Sequence, residues 1–473
     1  MAKILHHSPQ ASSSVFILGI DMGTSGIRGV IVERSPCALK DKIWHSESVP
    51  LNTQPIEDTI QQPKCWITSL NTLLNKISQA FDLKKISHII IDATSSSVLL
   101  STSQGRALTH ALMYNNQQAD QEALKIQTSE GFDPESPAQG ASSTLAKALY
   151  LINQINLLQQ RKISSPPIIC HQIDFLNHYL CGSLNITDEN SALKLGYNAQ
   201  TQQWPNWIKQ LLAPVVLPKV VAPGTPLGNI TTQLATQYGF SPSLTVHAGT
   251  TDSIAGFLAS GASQMGDTVI SLGSTLAIKI ITSKPLFNQK YGIYSHKLKN
   301  NWLVGGASNA GGAVLLNAYS LPEIKYLIKS LDPLSTHDLN ITDRYYPLNS
   351  TGERFPISDI HFRPTMPIKP KQPLVLNASL PEELAILKAH QTYFLNLIKG
   401  LVHIEELAYK KLFQETQHPI NHLYSVGGGV KNRLWQQCRK AHFTNQTAPY
   451  LTPQTTLKKA YSLDAAYGVT KLI

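Results

Sequence analysis

Charge is scarce in this chain. Only 15% of its 473 residues are Asp, Glu, Lys or Arg, and no long biased tract signals disorder. Acidic residues are the rarer sign, 30 against 40 basic, for a formal charge of +10. The lysines are scattered, however. The densest stretch, Lys290 to Lys299, holds three of them and reads as a solvated loop. Without a basic helical stripe or aromatic–basic interleaving, nucleic-acid binding is not expected, and a protein that handles small anions fits better. The five cysteines, Cys37, Cys65, Cys170, Cys181 and Cys438, include no pair at metal-ligand spacing. Reduced thiols in a cytoplasmic protein are therefore expected. No apolar run approaches the roughly 20 residues of a membrane span. The first 14 residues lack the hydrophobic stretch of a secretory signal. They are Ser-rich and acid-free, which weakly permits an organelle address, and a short disordered arm is the preferred reading. No GxxxxGK[ST] loop occurs, which excludes a P-loop enzyme, and no Rossmann fingerprint follows the first strand.

What is present is enough apolar sequence, 42%, for large cores, spread over a length that predicts roughly two to four domains. An apolar strand from Val15 runs into Asp21, Gly23-Thr24-Ser25-Gly26 make a turn, and a second strand leaves. A third strand begins near residue 43. Pro63 then opens a helix with Trp66, Leu70, Leu73 and Ile77 on one face, followed by the strand HIIIDATS ending at Ser95. The same order returns from Asp267: a strand, a Gly273-Ser274-Thr275 turn, a strand, WLVGGAS, a long helix and HLYSVGGGV, followed by the helix KNRLWQQCRKA. In the long helix, Phe394, Leu397, Leu401, Ile404 and Ala408 share a face. This internal duplication predicts an α/β fold of two similar domains. The boundary falls near residue 257, with DAAYGVTKLI packing back on the first domain.

Four segments carry chemistry. In Asp21-Met-Gly-Thr-Ser-Gly-Ile-Arg28, backbone N–H groups and the Thr24 and Ser25 hydroxyls can hold phosphate oxygens, and Asp21 can hold a metal ion through water. An ordinary hairpin turn explains the same residues. The Gly273-Ser274 turn is a plausible second phosphate grip. Asp252, in Gly249-Thr-Thr-Asp-Ser253, either caps the helix it opens or accepts a proton from a substrate hydroxyl; spacing does not choose. Gly427-Gly428-Gly429, with Asn432 and Trp435 beyond, permits close approach to a flat ring, or is only a tight strand-to-helix turn. Residues 305–312, GGASNAGG, are similar and equally weak alone.

Taken in order, DMGTSGIR, GTTDS, SLGST, VGGGVKNRLW and LDAAYGV resemble the motifs of the FGGY carbohydrate kinases, over nearly the whole chain. The resemblance implies two duplicated actin-like (ribonuclease-H-like) domains with an intervening ligand cleft: an N-terminal sugar-binding domain over 15–257 plus 454–473, and a C-terminal nucleotide-binding domain over 258–453. Within the family, IDATSSSVLL, ALMYNNQQA and TDENSALKLGYN are similar to the D-ribulose kinases of cyanobacteria and the related plant proteins. The implied reaction is phosphorylation of a ketopentose, D-ribulose before D-xylulose or another sugar or polyol, by ATP with Mg²⁺.

The implied roles follow residue by residue. Asp252 is the general base. Asp21, Ser25 and Gly26 lie around the sugar, with Asp21 also at the metal, and Ser95 touches the sugar. Gly23, Thr24, Gly273 and Ser274 contact phosphates, and Gly428, Gly429, Asn432 and Trp435 line the adenosine pocket. Partners are a small-molecule sugar and ATP, with no nucleic acid and no membrane, for a monomer or homodimer. Relatives commonly carry Tyr-Asn-Asp and then an Arg two residues on, where this chain has Tyr114-Asn115-Asn116 and Gln118. That departure admits altered substrate choice, or a non-catalytic sugar or nucleotide sensor. An actin-like or chaperone-like ATPase is the rival outside the sugar kinases.

Overall fold

A computed structural model describes residues 14–36, 41–51, 59–158, 166–331, 339, 341, 343–444 and 448–473. The expected N-terminal arm, over residues 1–13, and Cys37 lie outside the described residues. The chain divides into two compact units, one of 1–132, 138–256 and 464–473, the other of 133–137 and 257–463.

In the first unit, β1 (Val15–Met22), β2 (Gly26–Arg34) and β3 (Lys42–Pro50) form an antiparallel meander. Helix α1 (Pro63–Ala80) follows, and β4 (Ile86–Ala93) returns parallel to β1. Helices α2 (Thr144–Leu158) and α3 (Gln172–Cys181) precede the edge strand β5 (Pro226–Asn229) and β6 (Thr245–Thr251), which is parallel to β4; helix α4 (Asp252–Ala259) then opens. The sheet order is β5–β6–β4–β1–β2–β3. β1 and β4 are central, so they read as almost continuous apolar runs. Ile17, Leu18, Ile20 and Met22 are sealed on one strand, and Ile89, Ile90 and Ile91 on the other. On α1 the expected face of Trp66, Leu70, Leu73 and Ile77 is buried, joined by Leu74. Trp66 Nε1 satisfies its polar edge on Gln61 Oε1 at 2.7 Å.

The second unit repeats the plan. β7 (Thr268–Leu272), β8 (Leu276–Thr282), the edge strand β9 (Tyr294–Leu298) and β10 (Asn301–Ala307) come first. The 36-residue helix α5 (Pro381–Thr416), β11 (Ile420–Val426), α6 (Arg433–Phe443) and β12 (Leu451–Lys459) complete it. The order is β9–β10–β8–β7–β11–β12, with β7 parallel to β11 and β11 parallel to β12. Omitting the added edge strands β5 and β9, both sheets share one five-strand order and one set of strand directions. The duplication legible in the sequence is therefore a duplication of topology. On α5, Phe394, Leu397, Leu401, Ile404 and Ala408 are all fully buried.

Two differences from the sequence reading have local causes. β4 stops at Ala93 rather than Ser95, because Ser96 takes φ +65° and turns the chain. The chain also stays in the second unit beyond residue 454, because the ladder with β11 holds Leu451–Lys459 in that sheet. Only from Asp464 does it rejoin the first unit, where α7 (Ala465–Val469) lies so close on β1 that a Cβ on Gly19 would meet Ala466 O at 1.9 Å.

Candidate active site

Parallel strands end together, and ligands in open α/β sheets gather at their carboxyl ends. In the first unit these ends carry carboxylates. Asp21, next to last on β1, is the register partner of Asp92 on β4, and Asp92 is in turn opposite Thr250 on β6. Two residues past Thr250, Asp252 opens α4. The register of β6 shifts between His247 and Thr250. Gly249 sits in that shift, where a Cβ would meet Ile91 O at 1.6 Å, so only glycine lets β6 hug β4 and deliver Asp252 beside the other two.

The electrostatics are those of crowded negative charge. Burial pushes the Asp21 carboxyl up to about 6; Asp252 and Asp464 add to the rise, while a hydrogen bond with Asp92 and the charge of Arg28 oppose it. Burial pushes the fully enclosed Asp92 well above the carboxylate range, and Asp21 and Asp252 push further. Neither Asp92 carboxylate oxygen has a hydrogen-bond partner when both groups are written ionised. Asp464 caps α7 through the Ala466 N–H at 3.1 Å and pairs with Arg28 at 3.7 Å. Asp252 is half-buried, and its Oδ1 accepts the neighbouring Ser253 N–H at 2.6 Å. That contact is a local one to the next residue in the chain and leaves a chemical role for the carboxylate open.

Beside the carboxylates, the loop after β4 presents Ser95, half-buried, while Thr94, Ser96 and Ser97 are buried. The Thr94 and Ser97 hydroxyls lie 2.6 Å apart, and Thr94 donates to Gln172 Oε1 at 2.6 Å. Gln172 N–H donates to Ser97 O at 3.0 Å. Asn116 is fully buried in a local knot: its Nδ2 donates to Thr59 Oγ1 at 3.0 Å, and its Oδ1 accepts Gln118 N–H at 3.1 Å. The first turn keeps Gly23 N–H on Gly26 O at 2.9 Å and leaves Thr24 and Ser25 exposed.

The remaining expected residues belong to the second unit. Ser274 and Thr275 are exposed on the β7–β8 turn. The GGASNAGG segment runs directly onto that turn: Gly312 N–H donates to Gly273 O at 2.8 Å, and a Cβ on Gly311 would meet Ser274 O at 2.5 Å. Asn432 caps α6, its Oδ1 accepting Trp435 N–H at 3.1 Å. Gly428 is exposed, but Trp435 is 1% exposed, packed in the core against Gly429. Its ring supports the glycine turn from behind.

The structure thus brings Asp21, Asp252 and Ser95 into one unit with Gly23, Thr24, Ser25 and Gly26, and Gly273, Ser274, Gly428, Gly429, Asn432 and Trp435 into the other. Asp92, Gln172 and Asp464 join the site without a role legible in the sequence. Only Asp464 had a local signal, an Asp placed to cap a helix. Asp92 looks like an ordinary strand residue until its register partner is known.

No group of three His, Cys, Asp or Glu among the described residues forms a ready-made metal site. Mg²⁺ ordinarily takes one or two carboxylates and completes its shell with water and phosphate oxygens. A half-buried carboxylate under the charge of two others suits that mode.

The FGGY family of carbohydrate kinases, N-terminal domain, matches residues 16–259. A xylulose kinase of Staphylococcus xylosus is 22% identical over 475 residues, covering 96% of this chain and 91% of the relative. A gluconokinase of Bacillus subtilis is 22% identical over 455 residues, covering 91% and 83%. The crystal structure of gluconate kinase from Lactobacillus acidophilus shares the fold, with a TM-score of 0.74 at 18% identity over 97% of this chain and 89% of that one. The match over more than half of the chain, on a duplicated α/β fold with carboxylates at the strand ends, means that this protein belongs to the FGGY family of carbohydrate kinases and is an ATP-dependent sugar phosphotransferase.

Proposed function

We propose that the sugar is a ketopentose, D-ribulose, phosphorylated at its C5 hydroxyl to D-ribulose 5-phosphate. In this reading the first unit binds the sugar and the second the nucleotide. The convergence of Asp21, Asp92 and Asp252 at adjacent strand ends supports phosphoryl transfer, and the likeness in IDATSSSVLL and TDENSALKLGYN, with the small hydroxyl side chains of Thr94 to Ser97, supports D-ribulose.

Phosphoryl transfer needs alignment and charge stabilisation more than covalent chemistry from the protein. Asp252 accepts the proton of the attacking primary hydroxyl, a role worth about 10²–10⁴-fold. Asp21 orients the hydroxyl and is the carboxylate that would hold Mg²⁺ through water. Bound Mg²⁺ supplies neutralisation of charge on the phosphate oxygens. The Gly23–Gly26 turn and the Gly273-Ser274 turn offer N–H and hydroxyl donors to phosphates. Gly428 and Gly429 leave room for the adenosine, with Trp435 bracing them. Ser95 hydrogen-bonds a sugar hydroxyl, and discrimination follows wherever the wrong epimer leaves such a group unpaired.

The sensor reading loses its motive in the geometry of Asn116. The amide that replaces the relatives' acid is occupied with Thr59 and Gln118, so the exchange reads as local and structural. D-Xylulose is the second reading, favoured by the xylulose kinase among the relatives. The test is kcat/KM with MgATP for D-ribulose, D-xylulose, a heptulose and glycerol. The highest value for D-ribulose supports the proposal; a preference for D-xylulose or glycerol overturns the substrate and leaves the kinase assignment intact.

A further inference from the structure

Lys147 is a buried ionisable group in the first unit that the reaction does not explain. Its side chain is fully buried in α2. Burial pushes its ammonium down to about 7, and the like charge of Lys194 adds to the fall. A bare buried ammonium is costly unless every proton it offers does something. Two of them do: Nζ donates to Ser96 O at 2.6 Å and to Met113 O at 2.8 Å.

Those two carbonyls lie 17 residues apart, one of them on the loop of the proposed sugar contact. Ser96 directly follows Ser95 and sits at φ +65°, a left-handed conformation that strains a serine. Met113 O also accepts the Asn116 N–H at 3.0 Å, which closes the turn of Tyr114-Asn115-Asn116. One side chain therefore fastens a strained loop to a tight turn. A methionine would fill the same space but leave both carbonyls without this donor.

We propose that Lys147 is a positioning residue for sugar recognition, clamping the Ser95–Ser96 loop to the Met113–Asn116 turn so that the Ser95 hydroxyl is presented at a fixed place beside the strand-end carboxylates. The inference rests on the reading that Ser95 touches the sugar. Lys147 itself touches neither substrate. Its effect is carried by two hydrogen bonds to backbone, so its loss loosens one substrate's site and leaves the nucleotide turns of the second unit unaltered.

The test is a double-mutant cycle on the full chain with MgATP and D-ribulose or D-xylulose, whichever the wild type prefers. The variants are Lys147→Met, Ser95→Ala and the two combined, each checked for a wild-type circular dichroism spectrum. Losing two buried hydrogen bonds should raise the sugar KM by about five- to fiftyfold. The KM for ATP should stay within about twofold, and the combined variant should be little worse than the poorer single one, because coupled residues are not additive. A purely structural lysine would move both KM values or neither, and either result overturns the clamp, as does simple additivity. If Ser95→Ala leaves the sugar KM unchanged, the Ser95 contact itself is wrong and the clamp falls with it. If Ser95→Ala raises the sugar KM and Lys147→Met does not, the contact stands and the clamp alone fails. Should Lys147→Met not fold, Lys147→Gln, which reaches less far and cannot hold both carbonyls, is read by the same criteria.

Discussion

Asp21 and Asp92 are register partners across the parallel strands β1 and β4, one half-buried and the other sealed from solvent. Written as two carboxylates, the pair has no proton to share, and both Asp92 oxygens are left unpartnered. A proton on Asp92 turns repulsion into a hydrogen bond donated to Asp21. The same contact that pushes Asp92 further up therefore holds Asp21 down. Asp92 is thus a neutral acid set behind an ionisable one, as expected where like charges share a buried place.

That relationship makes Asp92→Asn an unusually mild core substitution. The amide keeps the shape, carries no charge and can donate to Asp21 as the protonated acid does. Thermal unfolding at pH 7.5 should give a Tm equal to or above that of the wild type. A loss of more than about 2 kcal/mol, the cost of an unpaired buried group, would show that Asp92 is needed as a carboxylate.

Asp252→Asn should fold normally and lose sugar phosphorylation by about 10²–10⁴-fold, because the amide still accepts the Ser253 N–H but takes no proton from the sugar. Steady-state turnover beside a circular dichroism spectrum decides. A folded variant with near-wild-type kcat would rule out Asp252 as the general base.

Gly311→Ala probes the second unit. The added Cβ would collide with Ser274 O at 2.5 Å and Thr275 Cα at 2.6 Å, both backbone atoms that cannot step aside cheaply. The β7–β8 turn must shift, so the KM for ATP should rise by about tenfold or more, taking one lost phosphate contact at roughly 1.5–3 kcal/mol, while the KM for sugar changes little. Equal changes in both constants would mean that the turn does not serve the nucleotide.

Asp188 gives a pH prediction. It caps the short helix Glu189–Ala192 through the Asn190 and Ser191 N–H groups at 2.9 and 3.1 Å, yet burial pushes its carboxyl up to about 6 against those bonds. A raised carboxyl binds its proton more tightly in the folded state. The stability it contributes is present below its unfolded value near 4 and lost as pH rises through about 6. Asn caps as well as Asp and has no charge to bury. The Tm advantage of Asp188→Asn should therefore grow from pH 4 to pH 6 and then level off, reaching on the order of 1–3 kcal/mol in stability. A difference that is flat with pH would refute the raised value.

The sequence alone determined what local rules govern. Turn glycines, the apolar runs of the central strands and the helical spacing on α1 and α5 are set within a few residues of themselves. They specified the elements, the α/β class and the duplication, and DMGTSGIR with GTTDS already marked Asp21 and Asp252. Tertiary structure decided what depends on pairing between distant segments. Asp92 matters only because β4 lies in parallel register with β1, and Asp252 joins it only because Gly249 lets β6 approach. Trp435 becomes a brace because α6 turns it into the core. The surroundings of Asn116 and Lys147 exist only because the fold carries Thr59 to one and Ser96 and Met113 to the other. Hydrogen bonds and desolvation act through space, and a linear sequence records only which groups are available to meet.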